Sequence, residues 1–174
     1  MLKLARMALL CGALSACSPL FDWREVRDST DGYTVLMPGK PSTHTRPVRL
    51  NDLTLDMSMR AVEVNQVMFA VGSVHLADSR QSAATLTFMK NQLLGNSKMI
   101  STTDKTSPTP DGRGMMMEVE ASTAPVVGQP ASARVFYGRF IARDARLYQV
   151  VMVGPKSSIT DEVVETFLNS FKLH

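Results

Sequence analysis

The stretch SARVFYGRFIARDARLYQVVMV, residues 132–153, decides the fold. Two runs rich in aromatic and β-branched residues, 132–143 and 146–153, are separated only by Asp144 and Ala145. Runs of this composition on both sides of so short a connection predict a β-hairpin. Because the two strands of a hairpin run in opposite directions, the sequence predicts an antiparallel sheet.

The segments before the hairpin supply further strands. Residues 33–37 form a short apolar run, and residues 67–76 are apolar on both faces, as in a central strand. Residues 53–64 alternate between apolar and polar side chains, which places Leu and Met on one face. The alternation shifts at Ala61 and Val62, which predicts a bulge or a change of neighbouring strand. Shorter strands are predicted over residues 22–27 and 115–121.

Two helices complete the set of predicted elements. Residues 82–94 carry apolar side chains three and four positions apart, and Gly95 is a suitable C-terminal stop. The last helix is predicted to have Ser158 as its N-cap and Asp161 and Glu162 in its first turn, where the helix dipole favours anions. Its apolar stripe consists of Ile159, Val163, Phe167 and Phe171.

The connections also carry a prediction. Residues 101–114 contain two Pro and two Gly, so we expect them to form a loop. The elements together predict an α+β fold in which an antiparallel sheet is flanked by helices.

The amino terminus has the pattern of an export signal. Lys3 and Arg6 precede an uncharged apolar run, residues 7–16, which is about half the roughly 20 residues that a membrane-spanning helix needs. The run ends in Leu14-Ser15-Ala16-Cys17. This sequence resembles the bacterial lipobox, which has an aliphatic residue, two small residues and a cysteine. The alternative is an ordinary secretory signal in which the cysteine is incidental.

The lipobox resemblance implies a division of the chain and a covalent lipid. Cleavage between Ala16 and Cys17 would remove residues 1–16 as a signal peptide. Cys17 would then carry a diacylglycerol thioether and a fatty acyl group on its new amine. Residues 17–21 would form the lipidated anchor and a short tether, and residues 22–174 would form the folded domain. No cofactor other than this lipid is expected.

The anchor also implies a location. Ser18 follows the cysteine, and in Gram-negative lipoproteins a serine there usually permits transfer to the outer membrane. We therefore expect a lipid-anchored envelope protein at the outer membrane, facing the periplasm. With so short a tether, Phe21 and Trp23 would lie near the lipid headgroups; the alternative is that both rings belong to the core.

Composition excludes one class of partner. The chain has 174 residues and a formal net charge of +3. Residues 1–16 contain two of the 19 Lys and Arg and none of the 16 Asp and Glu, so the remainder is near +1. A charge this small is not typical of nucleic-acid binding. Cys11 lies in the signal and Cys17 is the lipidation site, so the mature domain would contain no disulfide.

Three segments resemble a known family. They are GYTVLMPGKP at residues 32–41, RLYQVVMVGP at 146–155 and VETFLNSFK at 164–172. These segments are similar to those of the PsbP-like group, which includes the photosystem protein PsbP, the envelope lipoprotein DcrB and LpqN-type lipoproteins. The resemblance implies an α/β/α sandwich over the folded domain. Members of the group are mostly accessory, assembly or binding factors, so the resemblance implies no catalytic residues.

Residues able to bind metals or act as nucleophiles form no convincing pattern. The histidines His44, His75 and His174 are far apart, and His75 is expected to be a core residue. The three consecutive methionines at 115–117 cannot form a Cu(I) site by themselves, because alternate residues of a strand face opposite ways. Ser73 precedes His75 by two residues but has no acid nearby in sequence. We therefore expect neither an enzyme nor a metal site.

Arginines cluster around the hairpin. Arg139 and Arg143 share a strand face, Arg134 is on the other face, and Arg146 follows the turn. They either protect exposed sheet edges or form an anionic contact through Arg139, Arg143 and Arg146. The anion would be a lipid headgroup, a lipopolysaccharide phosphate or an acidic protein partner. The sequence thus predicts a non-catalytic binding or assembly module; the alternative is a binder of a small or lipidic ligand between sheet and helices.

Overall fold

A computed structural model describes residues 20–124 and 133–174. The predicted signal peptide, Cys17, Ser18 and the start of the first hairpin run at residue 132 lie outside these residues. Ten strands and two α-helices are present in the described part. In chain order they are β1 Arg24–Asp28, β2 Tyr33–Met37, β3 Ser42–Leu50, β4 Leu53–Val64, β5 Val67–His75, α1 Ser82–Asn96, β6 Met99–Pro108, β7 Gly114–Thr123, β8 Arg134–Arg143, β9 Arg146–Pro155, α2 Asp161–Ser170 and β10 Lys172–Leu173.

The strands form two antiparallel sheets. The large sheet has seven strands in the order β3-β4-β5-β9-β8-β7-β6, and the small sheet has the order β1-β2-β10. The predicted hairpin is confirmed: β8 and β9 pair from Arg134 opposite Pro155 to Arg143 opposite Arg146. This hairpin lies at the centre of the large sheet, where β5 pairs with β9 and β7 pairs with β8. Its apolar residues therefore supply both cores.

The large sheet separates two hydrophobic cores. On one face, Leu86 and Met89 of α1 pack with Phe140 and Leu147 of the central strands. The opposite face is covered by the small sheet and α2 together, with Phe167 among the buried residues. The coarse prediction of an antiparallel sheet flanked by helices is therefore confirmed. The simple α/β/α order is wrong in one respect, because a second sheet shares the layer of α2.

Three strands occur where none was predicted: β3, β6 and the two-residue β10 that follows α2. The segment 101–114, expected to be a loop, contributes most of β6, and β3 precedes the predicted strand at Leu53. Both are edge strands of the large sheet, and most of their residues are exposed. An edge strand whose two faces are exposed to solvent does not need alternating apolar residues, and Pro47 is tolerated in β3 for the same reason. An ion pair between Lys90 of α1 and Asp104 holds β6 against the helix.

Several local predictions can be compared with the helix and strand ends. The N-cap of α2 is Thr160 and not Ser158; the Thr160 Oγ1 accepts a hydrogen bond from the Val163 N–H at 3.4 Å. Gly95 lies inside α1, which ends one residue later. β4 pairs with β3 up to Ala61 and with β5 from Ser58 to Val64, so the shift in alternation coincides with the end of the β3 pairing and not with a bulge.

The domain has two distinguishable ends along the strands. At the end we call proximal, Phe21 and Trp23 each place their ring centroids 6.0 Å from that of buried Phe69. Both rings are half-buried and pack against the margin of the core that contains Phe69. The opposite, distal end contains the hairpin turn at Asp144 and the end of β5 at His75. His75 lies six positions after Phe69 on β5, which corresponds to about 20 Å.

No helix among residues 20–124 and 133–174 is both long and apolar enough to cross a membrane.

Candidate functional site

The last row of the large sheet at its distal end carries three nitrogen-rich side chains. His75 of β5 is paired with Arg146 of β9, Arg146 with Arg143 of β8, and Arg143 with Gly114 of β7. Directly opposed residues of an antiparallel sheet share a face and lie about 4.5–5.5 Å apart. The three side chains therefore stand side by side on the α2 face. Like charges in direct opposition destabilise a strand pair. The opposition of Arg143 and Arg146 therefore does not stabilise the pairing of β8 with β9.

Arg143 is largely covered, yet weakly held. Its side chain is 12% exposed; Nη2 lies 3.3 Å from Asp111 Oδ2, and Nη1 lies 3.5 Å from the backbone oxygen of His174. Both distances exceed the roughly 2.7–3.2 Å of ordinary N–H···O bonds. Asp111 accepts shorter bonds from the Thr109 hydroxyl at 2.6 Å and the Arg113 N–H at 3.1 Å. These bonds, in that order, hold the pKa of Asp111 below its usual value, with a smaller contribution from Arg143.

Arg146 is directed toward the turn between β1 and β2. Its Nη1 donates to the Thr30 carbonyl oxygen at 3.1 Å. Gly32 has a φ of 69°, which favours glycine, and a Cβ there would lie 3.2 Å from Arg146 Nη1. The Tyr148 hydroxyl donates to the Asp31 carbonyl oxygen at 2.7 Å. Burial raises the pKa of Tyr148 although Arg146 acts against it, so the hydroxyl remains a donor. The turn thus stays fixed and leaves space for the guanidinium.

A cavity of about 360 Å³ lies around this row, and we call it the arginine pocket. Its lining consists of Gly32, His75, Arg113, Arg143, Asp144, Ala145, Arg146, Tyr148 and His174. Three of these residues are arginines and one, Asp144, is acidic; Asp111 approaches the pocket from behind Arg143. Such a lining can donate several charged N–H groups to an anion.

Arg139, which the sequence grouped with Arg143 and Arg146, serves a different purpose. It lies four residues from Arg143 along β8, which corresponds to about 13 Å. Its Nε contacts Glu118 Oε1 at 2.8 Å, its Nη1 donates to the Leu168 carbonyl at 2.7 Å, and its Nη2 donates to Asn169 Oδ1 at 2.9 Å. All three bonds have normal length, and a cation suits the C-terminal end of α2. Arg139 therefore braces α2 against the sheet.

A second cavity, the apolar pocket, has a volume of about 540 Å³ and lies between α2, β10 and the large sheet. Its apolar lining comprises Pro110, Met116, Ile141, Leu168, Phe171 and Leu173. Asp111, Arg139 and Lys172 add charged groups. The cavity thus combines an apolar wall with a polar rim, as ligand-binding sites commonly do.

The structure brings an acid to Ser73 that was not evident from the sequence. Ser73 Oγ donates to Asp31 Oδ2 at 2.5 Å. The serine is 6% exposed, and the carboxylate contacts it directly, with no imidazole between them. A nucleophilic serine needs a base that takes its proton and an acid that orients that base. This pair instead fastens the β1–β2 turn to the sheet.

Asp28 fastens the same turn from its other side. Its Oδ1 accepts bonds from the N–H groups of Thr30 and Asp31 at 3.0 Å each, and its Oδ2 lies 2.8 Å from Arg60 Nη2. Burial by itself would raise the pKa of Asp28, but the Asp31, Arg60 and Thr30 contacts together lower it below its usual value. The ionised carboxylate is therefore part of the folded arrangement.

The residues singled out for metal chemistry are not assembled into a site. His75 is exposed at the end of β5, so its predicted place in the core is wrong; His44 and His174 are also exposed. Met115 and Met117 face the α1 core and Met116 faces the other core, as the strand alternation predicted. Within residues 20–124 and 133–174, no three His, Cys, Asp or Glu residues are arranged to hold a metal ion.

No protein-family model matches this chain, and no curated protein matches it at a significant level of similarity.

The arginine pocket contains residues that sequence reasoning did not connect. Arg143 and Arg146 were grouped because they flank a turn, whereas Arg113, His75 and His174 come from distant parts of the chain. The pairing of β5 with β9 is the signal that could have located His75 in the pocket. A register that places residue 68 opposite residue 153 also places His75 opposite Arg146. That register depends on a contact between separate hairpins, which local patterns do not determine.

Proposed function

We propose that this chain is an envelope lipoprotein whose folded domain is a non-catalytic binding or assembly module. In this proposal Cys17 carries the lipid, the proximal end faces the anchoring membrane, and the distal arginine pocket contacts another envelope component. We further propose the outer membrane, periplasmic side, as its location, and a PsbP-like type for the domain. The antiparallel sheet with one helix on each face is consistent with that type.

The observation that carries the proposal is the separation of the two ends. Phe21, four residues after Cys17, packs on Phe69 at the proximal end. An extended chain spans at most about 3.6 Å per residue, so the lipid attachment point lies within roughly 14 Å of Phe21. The cationic row at His75 is about 20 Å farther along β5. A membrane anchor at one end and an anion-binding surface at the other suit a module that reaches outward from its membrane.

Recovery of the lipidated protein from envelopes tests the binding role. The wild type is compared with a variant carrying Arg143→Gln and Arg146→Gln, and with Arg134→Gln as the matched control. We expect a stoichiometric component that is retained by wild type and control and lost by the double variant. Equal recovery from all three proteins would contradict a role for the distal end.

The alternative, binding of a small or lipidic ligand, is favoured by one observation. The apolar pocket of about 540 Å³ lies between sheet and helix and has a polar rim. Native mass spectrometry of the protein extracted from envelopes would detect a co-purifying molecule. Its loss in a Leu173→Trp variant, which fills the pocket, would assign the ligand to this cavity.

A further inference from the structure

We propose that the arginine pocket is a binding site for the phosphate group of a phosphate-bearing ligand, held by Arg143 and Arg146. The inference rests on the binding role proposed above and names the chemistry that the distal end recognises.

Unused donors are the first reason. Each guanidinium has five N–H donors, so Arg143 and Arg146 together have ten. In the described structure their contacts to oxygen are at 3.1, 3.3 and 3.5 Å, and Arg146 also lies beside the Tyr148 hydroxyl. Arg139 alone makes three contacts of 2.7–2.9 Å. The fold thus provides hydrogen-bond partners for Arg139, which holds α2 against the sheet. It leaves N–H donors available on Arg143 and Arg146, which line the arginine pocket.

The direction of the donors is the second reason. The sheet row presents His75, Arg146 and Arg143, and the loop before β7 presents Arg113, whereas the Nε2 of His174 is bonded to the Thr34 hydroxyl at 2.6 Å. The sheet row and Arg113 thus line the cavity from two parts of the fold. A phosphate offers three terminal oxygens in different directions, whereas a carboxylate offers two oxygens in one plane. Convergent donors of this kind match the tetrahedral anion better.

Local charge is the third reason. Three acidic side chains act against an anion here: Asp144 in the lining, Asp111 behind Arg143 and Asp31 beside Tyr148. The Arg143 contact with Asp111 Oδ2 is long at 3.3 Å, whereas Asp111 Oδ1 accepts shorter bonds from Thr109 and Arg113. A phosphate monoester carries about −1.5 to −2 at pH 7 and can therefore draw Arg143 away from that single carboxylate. It also separates the opposed charges of Arg143 and Arg146, which removes their repulsion.

A titration of the full lipidated protein in non-ionic detergent tests the site. Sodium phosphate and sodium acetate are added at equal ionic strength and constant pH, and binding is followed by calorimetry and by amide NMR. We expect saturable phosphate binding with shifts at Gly32, His75 and Ala145, and weaker acetate binding. Equal or tighter binding of acetate, or shifts spread over the whole surface, would overturn the proposal.

Variants identify the arginines. Arg143→Gln and Arg146→Gln should each weaken phosphate binding at least about tenfold, because each removes hydrogen bonds from a charged donor. Arg143→Lys should weaken it less than Arg143→Gln does, since the charge remains but the fork of donors is lost. Arg134→Gln, an exposed arginine on the other sheet face, should bind as wild type does. Unchanged affinity in both glutamine variants, with folding verified by Trp23 emission, would overturn the assignment.

Two arms distinguish the source of the phosphate. Inorganic phosphate is compared with soluble short-chain phosphatidic acid, because the lipid anchor itself would hold the protein on any vesicle. Binding to phosphate alone supports a soluble ligand, and binding to both supports a lipid headgroup; binding to phosphatidic acid alone, or binding that persists in the glutamine variants, would contradict a phosphate site at the arginines. Failure here leaves the envelope recovery result untouched, so the loss of this inference and the loss of the binding role can be told apart.

Discussion

The contrast between Arg139 and Arg143 gives a sharp test, because the two arginines occupy the same strand face with different contacts. Replacing Arg139 by Met keeps the stem and removes one ion pair and two hydrogen bonds of normal length. A half-exposed ion pair contributes about 0.2–1 kcal/mol, and hydrogen bonds involving a charged group contribute about 1.5–3 kcal/mol each before solvent exposure reduces them. The expected loss of unfolding free energy is about 3 kcal/mol.

Replacing Arg143 by Met is the matched control. Its two contacts, at 3.3 and 3.5 Å, are long, and its removal ends the repulsion from directly opposed Arg146. A like-charge pair in this position costs about 0.2–1 kcal/mol. The two effects nearly cancel, so the change in unfolding free energy should stay within about 0.5 kcal/mol of zero.

Urea unfolding followed by the emission of the single tryptophan, Trp23, measures both changes. At this chain length about 3 kcal/mol corresponds to a fall in Tm of roughly 6–12 °C. Equal losses in the two variants would show that Arg143 is as structural as Arg139. The arginine pocket would then have no donors to offer a ligand, and the reasoning would be refuted.

Three further predictions concern stability. Phe69→Ala should lower the unfolding free energy by about 3–5 kcal/mol in urea titrations, because Phe69 is fully buried under several aromatic rings; Ile100→Ala, at an exposed position, should change it little. Thr160→Ala should cost about 1 kcal/mol of thermal stability, whereas Ser158→Ala should cost almost none if the observed N-cap is correct. Asp28→Asn should make the decrease in unfolding free energy at acid pH smaller. Because the pKa of Asp28 is lowered in the folded state, its carboxylate stabilises the fold above about pH 4. This stabilisation is lost as the pH falls through the folded pKa. A pH series of unfolding curves in which wild type and variant decline in parallel would rule out this role.

The sequence was informative where burial is greatest. The hairpin from β8 to β9 and the mostly buried β5 were predicted because apolar and β-branched residues concentrate where both faces of a strand are packed. Of the missed strands, β10 has only two residues, and β3 and β6 are the two edges of the large sheet. An edge strand pairs with one neighbouring strand and is otherwise exposed to solvent, so its sequence can be as polar as that of a loop.

The candidate site was only partly predictable for a related reason. Arg143 and Arg146 are close in sequence, and a two-residue turn is enough to bring them together. His75 joins them through the pairing of separate hairpins, and Arg113 joins them through the loop before β7. Arg139 could not be separated from the group by sequence, because its partners in α2 become neighbours only after the helix packs on the sheet.

The orientation of the anchored domain tests the central claim most directly. Glu63→Cys and Thr54→Cys place single labels at exposed positions near the proximal and distal ends of β4, about 30 Å apart along the strand. Energy transfer from each label to acceptor lipids is then measured for the lipidated protein in bilayer nanodiscs. Efficient transfer from position 63 and weak transfer from position 54 is the predicted result. Transfer that is equal from both, or absent because the chain stays unattached to the bilayer, would contradict a lipid anchor that turns the arginine pocket away from its membrane.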